Sequence, residues 1–290
     1  MSLYSTLYDV RAEIKVPTAT LTAAEDAYVF DTLRRTSRRF DNLMSAGKDF
    51  FVPVLETREI QVDMDRVNSN LNTFSLDTPL LSITGVTLNG VALTVGTDIV
   101  GYPSINNPIY RLRLPDWGRQ WYPNYFLNSL TSPPTVTITG LWGFHQDYAN
   151  AWLLADSLAA AITTSGIKTL TVTNVDQSDD YGHSPAISAG NLIRIDDEYM
   201  DVTATDTATN IVTVRRGVNG STATTHSIST SVYVYQVEEA VQRAVTRQTA
   251  FMYARRGAYE TSQVSAMGQI TFPADVLAEV RGVLEGYITE

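Results

Sequence analysis

The stretch VEEAVQRAVTRQTAFM, residues 237–252, carries the clearest helical pattern in the sequence. Its apolar positions recur every three or four residues, which predicts an amphipathic helix with one buried face. Glutamates at its start and arginines just after its end suit the electric dipole of such a helix. The apolar-leaning face consists of Val237, Val241, Ala244, Val245, Gln248 and Met252. A helix of this kind needs another helix or a sheet to cover that face.

Three further helices are predicted, and all of them lie near the chain ends. Thr6 can cap the first, which ends before Pro17. The sequence TAAE at 22–25 is a capping box that begins the second helix, which we expect to reach about Ala46. The last helix begins near Pro273. The second helix has the apolar stripe Val29, Leu33, Phe40, Leu43 and Met44, and the last has the face Val276, Leu277, Val280, Leu284 and Tyr287.

Residues 50–236 are predicted to form short strands and turns. The segment 57–62 alternates in character, as a half-buried strand does. The Asn-Gly pair at 89–90 predicts a hairpin closed by a two-residue type I′ turn. From residue 168 onward, five short strands at regular spacing are typical of a small barrel or sandwich. Those five strands are expected at 169–175, 191–195, 199–205, 211–214 and 231–235, and earlier ones at 109–114 and 136–140.

This arrangement predicts an α+β fold. A discontinuous frame, made of the N- and C-terminal helices plus antiparallel strands, is expected to comprise residues 1–148 and 237–290. An all-β small barrel or sandwich with a lead-in is expected as an insertion at 149–236. The division follows from the terminal helices, because each of them buries only one face and therefore needs the other or a shared sheet.

The composition excludes several classes of function. The chain has 290 residues, no cysteine and a formal net charge of −10. Without cysteine there is no disulfide, no thiolate metal site and no Cys nucleophile. Acidic side chains outnumber basic ones nine to four between residues 150 and 236, whereas a protein that grips duplex DNA has a basic surface. Sequence-specific DNA binding is therefore disfavoured.

The sequence has no pattern of a targeting or membrane segment. Its N-terminus lacks a basic stretch followed by an apolar run. No stretch approaches the roughly 20 apolar residues that span a bilayer. We expect a soluble protein with neither a secretion signal nor a membrane partner.

Four arginines lie together on the polar side of the second predicted helix. Arg34, Arg35 and Arg38 project opposite the apolar stripe, and Arg39 lies at its flank. One interpretation is a solvated helix face. The other is a patch for an acidic partner or a phosphate backbone.

The segment from Trp117 to Phe126 is rich in aromatic residues and is bounded by prolines, which predicts a loop. Trp117, Trp121, Tyr122 and Tyr125 are suited to anchor a protein interface, where Trp and Tyr supply large contact area. Alternatively, these rings cover the sheet of their own subunit.

No pattern of catalytic or metal-binding residues is complete. His145, His183 and His226 lie in separate segments, and none has a partner at helical zinc spacing. A hydrolase that uses Asp197, Glu198 and His226 is a weak hypothesis, because no Gly-x-Ser-x-Gly elbow surrounds any serine. We expect no enzyme activity, no metal and no cofactor.

The loop from Arg216 to His226 loosely resembles a phosphate loop. It lacks the lysine and the following helix on which such a loop depends, and its glycines suit a tight turn. We expect an exposed loop of the β domain, with Arg216, Asn219 and His226 as its candidate contact residues.

Several segments, in this order, resemble the head-tail connector (adaptor, neck) proteins of tailed bacteriophages. They are LYSTLYDVR (3–11), the second helix, LDTPLLSITGVTLNG (76–90), ITGLWGF (138–144) and PADV (273–276). The resemblance covers residues 1–148 and 237–290. It implies a dodecameric ring beneath the portal, through which the genome leaves the capsid.

The middle of the chain departs from the minimal family pattern. SAGNLIRIDDEYMDV (188–202) and VRRGVNGSTATTH (214–226) resemble a small β module found in various phage virion proteins. Such modules are similar to surface decorations and have no known catalysis. The module is therefore expected as an addition to the adaptor frame.

The resemblance implies a structural virion protein and not an enzyme. Its partners would be further copies of itself in a ring, the portal protein, and a tail or tail-terminator (stopper) protein. Duplex DNA would pass through the ring without sequence-specific binding. The protein would reside in the virion neck, and in the host cytoplasm during assembly. The portal or subunit contacts would come from Arg34, Arg35, Arg38, Arg39, Trp117, Trp121, Tyr122 and Tyr125.

A competing interpretation is a virion-surface binding module. In that case the β domain would belong to a tail or collar protein and would recognise a glycan or another component of the host surface. Exposed aromatic residues around a concave face would favour it.

Overall fold

The computed structural model has an α+β fold, as the sequence predicts. Contacts divide the chain into two compact units. The first unit comprises residues 1–48, 152–218 and 222–290, and the second comprises 49–151 and 219–221. The structure describes residues 2–14, 21–45, 49–61, 67–68, 73–103, 108–113, 135–179, 182, 184–256, 263–264, 270–271 and 276–287.

The second unit contains an antiparallel sheet of seven strands. They are β1 (Val54–Gln61), β2 (Val67–Asn68), β3 (Thr73–Leu88), β4 (Val91–Leu93), β5 (Val100–Tyr102), β6 (Ile109–Arg113) and β7 (Thr135–Trp142). The main path runs β1-β7-β3-β6-β5, and β2 and β4 also pair with β3. The predicted hairpin at 89–90 is confirmed, since it joins β3 to β4 and both of its residues have positive φ, 47° and 82°.

A large tryptophan lies at the centre of this sheet's core. The Trp142 indole Nε1 donates to the Glu56 backbone oxygen at 3.0 Å. The guanidinium carbon of Arg58 lies 4.3 Å from the centroid of the Trp142 ring. Around it the unit buries Phe74, Leu80, Val86, Ile99, Leu112, Val136 and Ile138. Along the first part of β7 the buried residues Val136 and Ile138 alternate with half-buried ones, as expected of a sheet that buries one face.

The first unit contains the four helices of the described residues. They are α1 (Leu7–Glu13), α2 (Ala23–Ser45), α3 (Glu239–Ala254) and α4 (Ala278–Glu285). Thr6 caps α1 as predicted, because its Oγ1 accepts from the Asp9 N–H at 3.1 Å. The capping box of α2 also forms, with Glu25 Oε2 accepting from the Thr22 N–H at 3.0 Å. The predicted start of the last helix, at Pro273, lies outside the described residues.

Helices from the two ends of the chain pack together, as their apolar faces require. The rings of Tyr28 in α2 and Tyr253 in α3 lie 6.1 Å apart, and Thr36 Oγ1 lies 3.6 Å from Met252 Sδ. The two helices bury Val29, Leu33, Phe40, Val241, Ala244 and Val245. These buried residues find their partner at the opposite end of the sequence, whereas Leu43, predicted on the same stripe, is 52% exposed.

The two shorter helices also pack on α3. Gln242 Nε2 donates to Asp9 Oδ2 in α1 at 2.9 Å. Gln248 Oε1 accepts from the backbone N–H of Leu277 at 3.0 Å. Leu277 has extended backbone angles, φ −58° and ψ 139°, so α4 begins only at Ala278.

The β segment of the first unit forms a six-stranded antiparallel sheet. Its strands are β8 (Trp152–Ser157), β9 (Thr169–Thr171), β10 (Leu192–Ile195), β11 (Glu198–Asp206), β12 (Ile211–Arg216) and β13 (Ser231–Tyr235), in the order β8-β13-β10-β11-β12-β9. The five predicted strands are confirmed, and β8 comes from the predicted lead-in. Backbone hydrogen bonds also join the end of β8 to the end of β9. The Thr173 N–H donates to the Ser157 oxygen at 3.1 Å, and the Ala159 N–H donates to the Thr171 oxygen at 2.8 Å. A further short pair, β14 (Gln263–Val264) and β15 (Ile270–Thr271), lies later in the unit.

The N-terminal segment lies against this six-stranded sheet. Leu7 donates its N–H to the Ala189 oxygen at 2.8 Å. Ser2 Oγ donates to Asp201 Oδ1 of β11 at 2.9 Å. Because of these hydrogen bonds, the terminal helices and residues 152–218 belong to the same compact unit. Residues 49–151 lie in the second unit.

The compact units therefore do not follow the predicted frame of 1–148 with 237–290. The contacts of the N-terminal segment with the later strands could not be predicted from sequence patterns, because they join residues far apart in the chain. That residues 149–236 are an inserted domain, able to fold alone, remains a prediction.

Gly190→Ala should destabilise the first unit by about 2 kcal/mol, since left-handed and crowded positions cost this much. Gly190 has φ +108°, and an added Cβ would lie 2.7 Å from the Ser5 oxygen and 3.1 Å from the Thr6 Cα. Urea unfolding of the purified variant measures the loss. Gly166→Ala is the control, because its added Cβ meets nothing within 4 Å. If the two variants were equally stable, the N-terminal segment would not pack closely against Gly190.

Candidate functional site

A buried carboxylate, Glu198, is the most densely bonded polar group of the six-stranded sheet. Arg216 donates to both of its oxygens, from Nε to Oε1 at 2.9 Å and from Nη2 to Oε2 at 2.5 Å. The backbone N–H groups of Gly217 and Thr224 donate to it at 3.1 and 2.9 Å. His226 Nε2 lies 2.9 Å from Oε2. We call Asp196, Glu198, Arg216 and His226 the Glu198 cluster.

The sheet register brings these side chains together. Glu198 begins β11 and Arg216 ends β12, and Arg216 lies opposite Met200 on the same ladder. His226 is held by a two-way backbone bridge to Ile162, with N···O distances of 2.9 and 3.0 Å. The loop between Arg216 and His226 must therefore return to the sheet beside Glu198.

Most of the cluster is shielded from solvent. The exposed fraction of the side chain is 1% for Glu198, 4% for Arg216 and 0% for His226. Asp196, whose Oδ2 lies 2.7 Å from His226 Nδ1, is 61% exposed. A carboxylate at this depth is tolerated only when it is paired and hydrogen-bonded, which these donors achieve.

The donors set the ionisation of Glu198. Burial, the largest single influence, raises the pKa of its carboxyl group. The bonds from Arg216, the Thr224 N–H and His226 outweigh burial together and hold the pKa below its ordinary value of 4.5. Glu198 is therefore a carboxylate in the folded protein at neutral pH.

The prediction of an exposed contact loop is wrong for two of its three residues. Arg216 and His226 point inward, because the buried Glu198 carboxylate needs charged and polar donors. Asn219 is half-buried and belongs to the second unit. Its backbone oxygen accepts from the Leu55 N–H at 2.9 Å, and its side-chain Nδ2 donates to the Pro53 oxygen at 3.0 Å. The Gly-rich sequence indicated a turn correctly but did not reveal what the turn contacts.

The cluster joins Glu198 and His226, two of the three residues of the weak hydrolase hypothesis. The other side-chain partner of His226 is Asp196, while Asp197 is exposed in the turn. Since His226 has no exposed surface and both Glu198 oxygens are bonded, the cluster as folded is a structural link between strands. Within the described ranges no group of three or more His, Asp and Glu side chains is arranged to hold a metal ion.

The arginine face of α2, defined as Arg34, Arg35, Arg38 and Arg39, is largely solvent-facing. The side chains of Arg34 and Arg35 are 62% and 72% exposed, and both pair with Asp31, at 2.9 and 2.6 Å. Arg38 is exposed and Arg39 is half-buried. Exposed pairs of this kind contribute little to stability. The role of this face in a contact remains a prediction.

The remaining predicted contact residues, Trp117, Trp121, Tyr122 and Tyr125, lie outside the described residues, as does His183. His145 is described and nearly buried, and its Nδ1 accepts from the Asp147 N–H at 3.0 Å. No helix in the described ranges combines the length and the apolar character needed to cross a bilayer.

The structure also assembles a group that the sequence analysis missed. On the outer face of the six-stranded sheet, the guanidinium carbon of Arg194 lies 4.7 Å from the Trp152 ring centroid and 5.3 Å from that of Tyr233. Trp152 also stacks on Tyr199, with centroids 5.4 Å apart and planes at 15°. We call Trp152, Arg194, Tyr199 and Tyr233 the aromatic platform. The alternation of Ile193, Arg194 and Ile195 indicates that Arg194 points outward, but only the strand order brings the rings to it.

No family model matches the chain, and no curated protein matches it significantly.

Glu198→Gln should lower the free energy of unfolding by about 3 kcal/mol, because it leaves the buried Arg216 guanidinium without its counter-charge. Urea unfolding at neutral pH measures the loss. Asp197→Asn removes the same charge from the exposed neighbour and should change stability by less than about 0.5 kcal/mol. If Glu198→Gln were as stable as Asp197→Asn, the charge of Glu198 would make no net contribution to the free energy of unfolding.

The contribution of Glu198 should also depend on pH in a defined direction. Its folded pKa lies below 4.5, so the stabilisation is complete above that pH and is lost as the pH falls through the folded pKa. The stability gap between the wild type and Glu198→Gln should therefore narrow in urea titrations from pH 6 to pH 3. Other acidic groups contribute to both proteins alike and cancel in the difference. A gap that stays constant over this range would contradict the lowered pKa.

Proposed function

We propose that this chain is a head-tail connector (adaptor) subunit of the tailed-bacteriophage neck. It would be a structural virion protein that forms a ring between portal and tail and leaves a central channel for the genome. The observation that carries the proposal is the helical layer, in which α2 and α3, from opposite ends of the chain, pack together. The arginine face of α2 is turned to solvent beside that contact, where a second protein can reach it.

In this proposal the helical adaptor frame consists of α1 to α4 with antiparallel strands, as in the family that the sequence resembles. The six-stranded sheet is the added small barrel. Support for a closed barrel comes from the bonds at Ser157, Ala159, Thr171 and Thr173, which link the two outer strands β8 and β9. The Glu198 cluster ties the β12–β13 connection into the same sheet.

The mechanism of such a protein is geometric. Subunit contacts between two different patches generate a closed ring when they are repeated by rotation, with twelve copies expected from the resemblance. The portal protein would bind one side of the ring and a tail or tail-terminator (stopper) protein the other. A net charge of −10 per chain favours passage of duplex DNA without adhesion, since like charges repel.

No catalytic centre and no cofactor belong to the proposal. The protein would act in the virion neck after assembly in the host cytoplasm.

Purified protein mixed with its portal should form rings on one face of the portal, visible by negative-stain electron microscopy. Ring particles with a channel wide enough for duplex DNA would support the connector function. The portal alone is the control image. Absence of any added density on the portal, at concentrations where both proteins are soluble, would contradict it.

Within the same assay, Arg34→Glu combined with Arg35→Glu should block portal binding. Both side chains are exposed, and Arg forks pair well with carboxylates across an interface. The matched control reverses Arg243 and Arg281, which are exposed on α3 and α4 and give the same change of charge. Circular dichroism checks that each variant is folded. If the Arg34 and Arg35 variant binds like the control, the face is only a solvated helix surface.

A further inference from the structure

The aromatic platform has the composition of a protein contact. Arg194, Tyr199 and Tyr233 are half-buried on the outer face of the sheet. Leu154, which lies opposite Tyr233 in the β8–β13 register, is 47% exposed. Tryptophan, tyrosine and arginine are the residues that most often carry the binding energy of interfaces. An exposed leucine beside them adds apolar area that a partner can cover.

Arg194 differs from the other arginines of this sheet. Arg215 pairs with Asp201 of β11, and Arg216 pairs with Glu198. Among the residues that the structure describes, no carboxylate pairs with Arg194, and its guanidinium group lies against the two rings. Its guanidinium group has five N–H donors in a planar fork, and the rings orient that fork without using the donors.

An anion would pair with this guanidinium group without displacing it from the rings. A guanidinium held against aromatic faces loses little side-chain entropy when it binds a carboxylate, because its position is already set. The rings and Leu154 beside it offer apolar area, so a carboxylate on a group that also covers this area fits best. An acidic side chain at the edge of a protein surface meets both conditions. A neutral sugar could stack on the rings but would bring no negative charge to Arg194.

We propose that the aromatic platform is a contact between subunits, on which Arg194 receives an acidic side chain of a second copy of this chain. Charge complementarity supports this occupant. Between residues 150 and 236 the chain has nine acidic and four basic side chains, so a neighbouring copy offers carboxylates in excess. The exposed carboxylates of this segment, Asp176, Asp196, Asp197 and Asp206, lie outside the platform, so the two sides of the contact differ, as the head-to-tail contacts of a ring require. The proposal rests on the ring of the proposed function and names one of its interfaces.

Sedimentation velocity of the full chain over a wide concentration range, with and without portal, tests the platform. Arg194→Glu should weaken self-association at least about tenfold, since it replaces the attracting charge at the centre of the contact. Leu154→Glu should weaken it too, and this exposed position leaves the fold intact. Ile228→Glu is the matched control, because Ile228 is 60% exposed and lies outside the platform. Thermal melts verify that all three variants fold.

The results of this experiment test the platform contact and the connector function separately. The platform assignment is overturned if Arg194→Glu assembles like the wild type in both conditions, if the wild type self-associates in neither, or if Ile228→Glu causes an equal loss. It is also overturned if the wild type binds a polyuronate through Arg194 while self-association is unchanged by Arg194→Glu, which would assign the platform to a sugar. A wild type that self-associates through the platform yet never binds portal contradicts the connector function and supports the contact.

Discussion

The buried carboxylate of Glu198 is the constraint on which the six-stranded sheet of the first unit depends. A carboxylate with 1% of its side chain exposed would be expelled or protonated unless donors surround it. Arg216, two backbone N–H groups and His226 supply those donors. To do so, the end of β12 and the loop after it must close over the start of β11. The Glu198 side chain thus fixes the path of the loop that follows β12. The sequence of that loop alone would also be compatible with an exposed loop.

A second constraint joins the chain ends to that sheet. The segment before α1 passes directly over Gly190, where a side chain would collide with backbone atoms of Ser5 and Thr6. Bonds from Ser2 and Leu7 hold the segment on the same surface. The N-terminal segment is therefore held by the sheet, and the helices that follow it also pack on α3. This explains a compact unit assembled from both ends and the later middle of the chain.

Arginine has three different tasks in this protein, and the surroundings decide among them. Arg216 is buried and neutralises a carboxylate. Arg34 and Arg35 are exposed and share Asp31, which leaves the helix face with an excess of positive charge. Arg194 lies against rings and keeps its hydrogen-bond donors available. The first arrangement stabilises a fold, whereas the other two suit contacts with acidic protein surfaces, as a ring between larger assemblies would need.

Local structure could be predicted from the sequence. The caps at Thr6 and Thr22, the hairpin at 89–90 and the alternating strands depend on neighbours a few residues away, so their patterns are legible in one dimension. The tertiary structure alone decided the grouping into units and the candidate sites. Glu198 and His226 are 28 residues apart, and they meet only because β11, β12 and the Ile162 bridge are arranged around one core. The orientation of a polar side chain, inward to a partner or outward to solvent, follows from that arrangement, because the cost of burying a charge depends on donors contributed by distant segments.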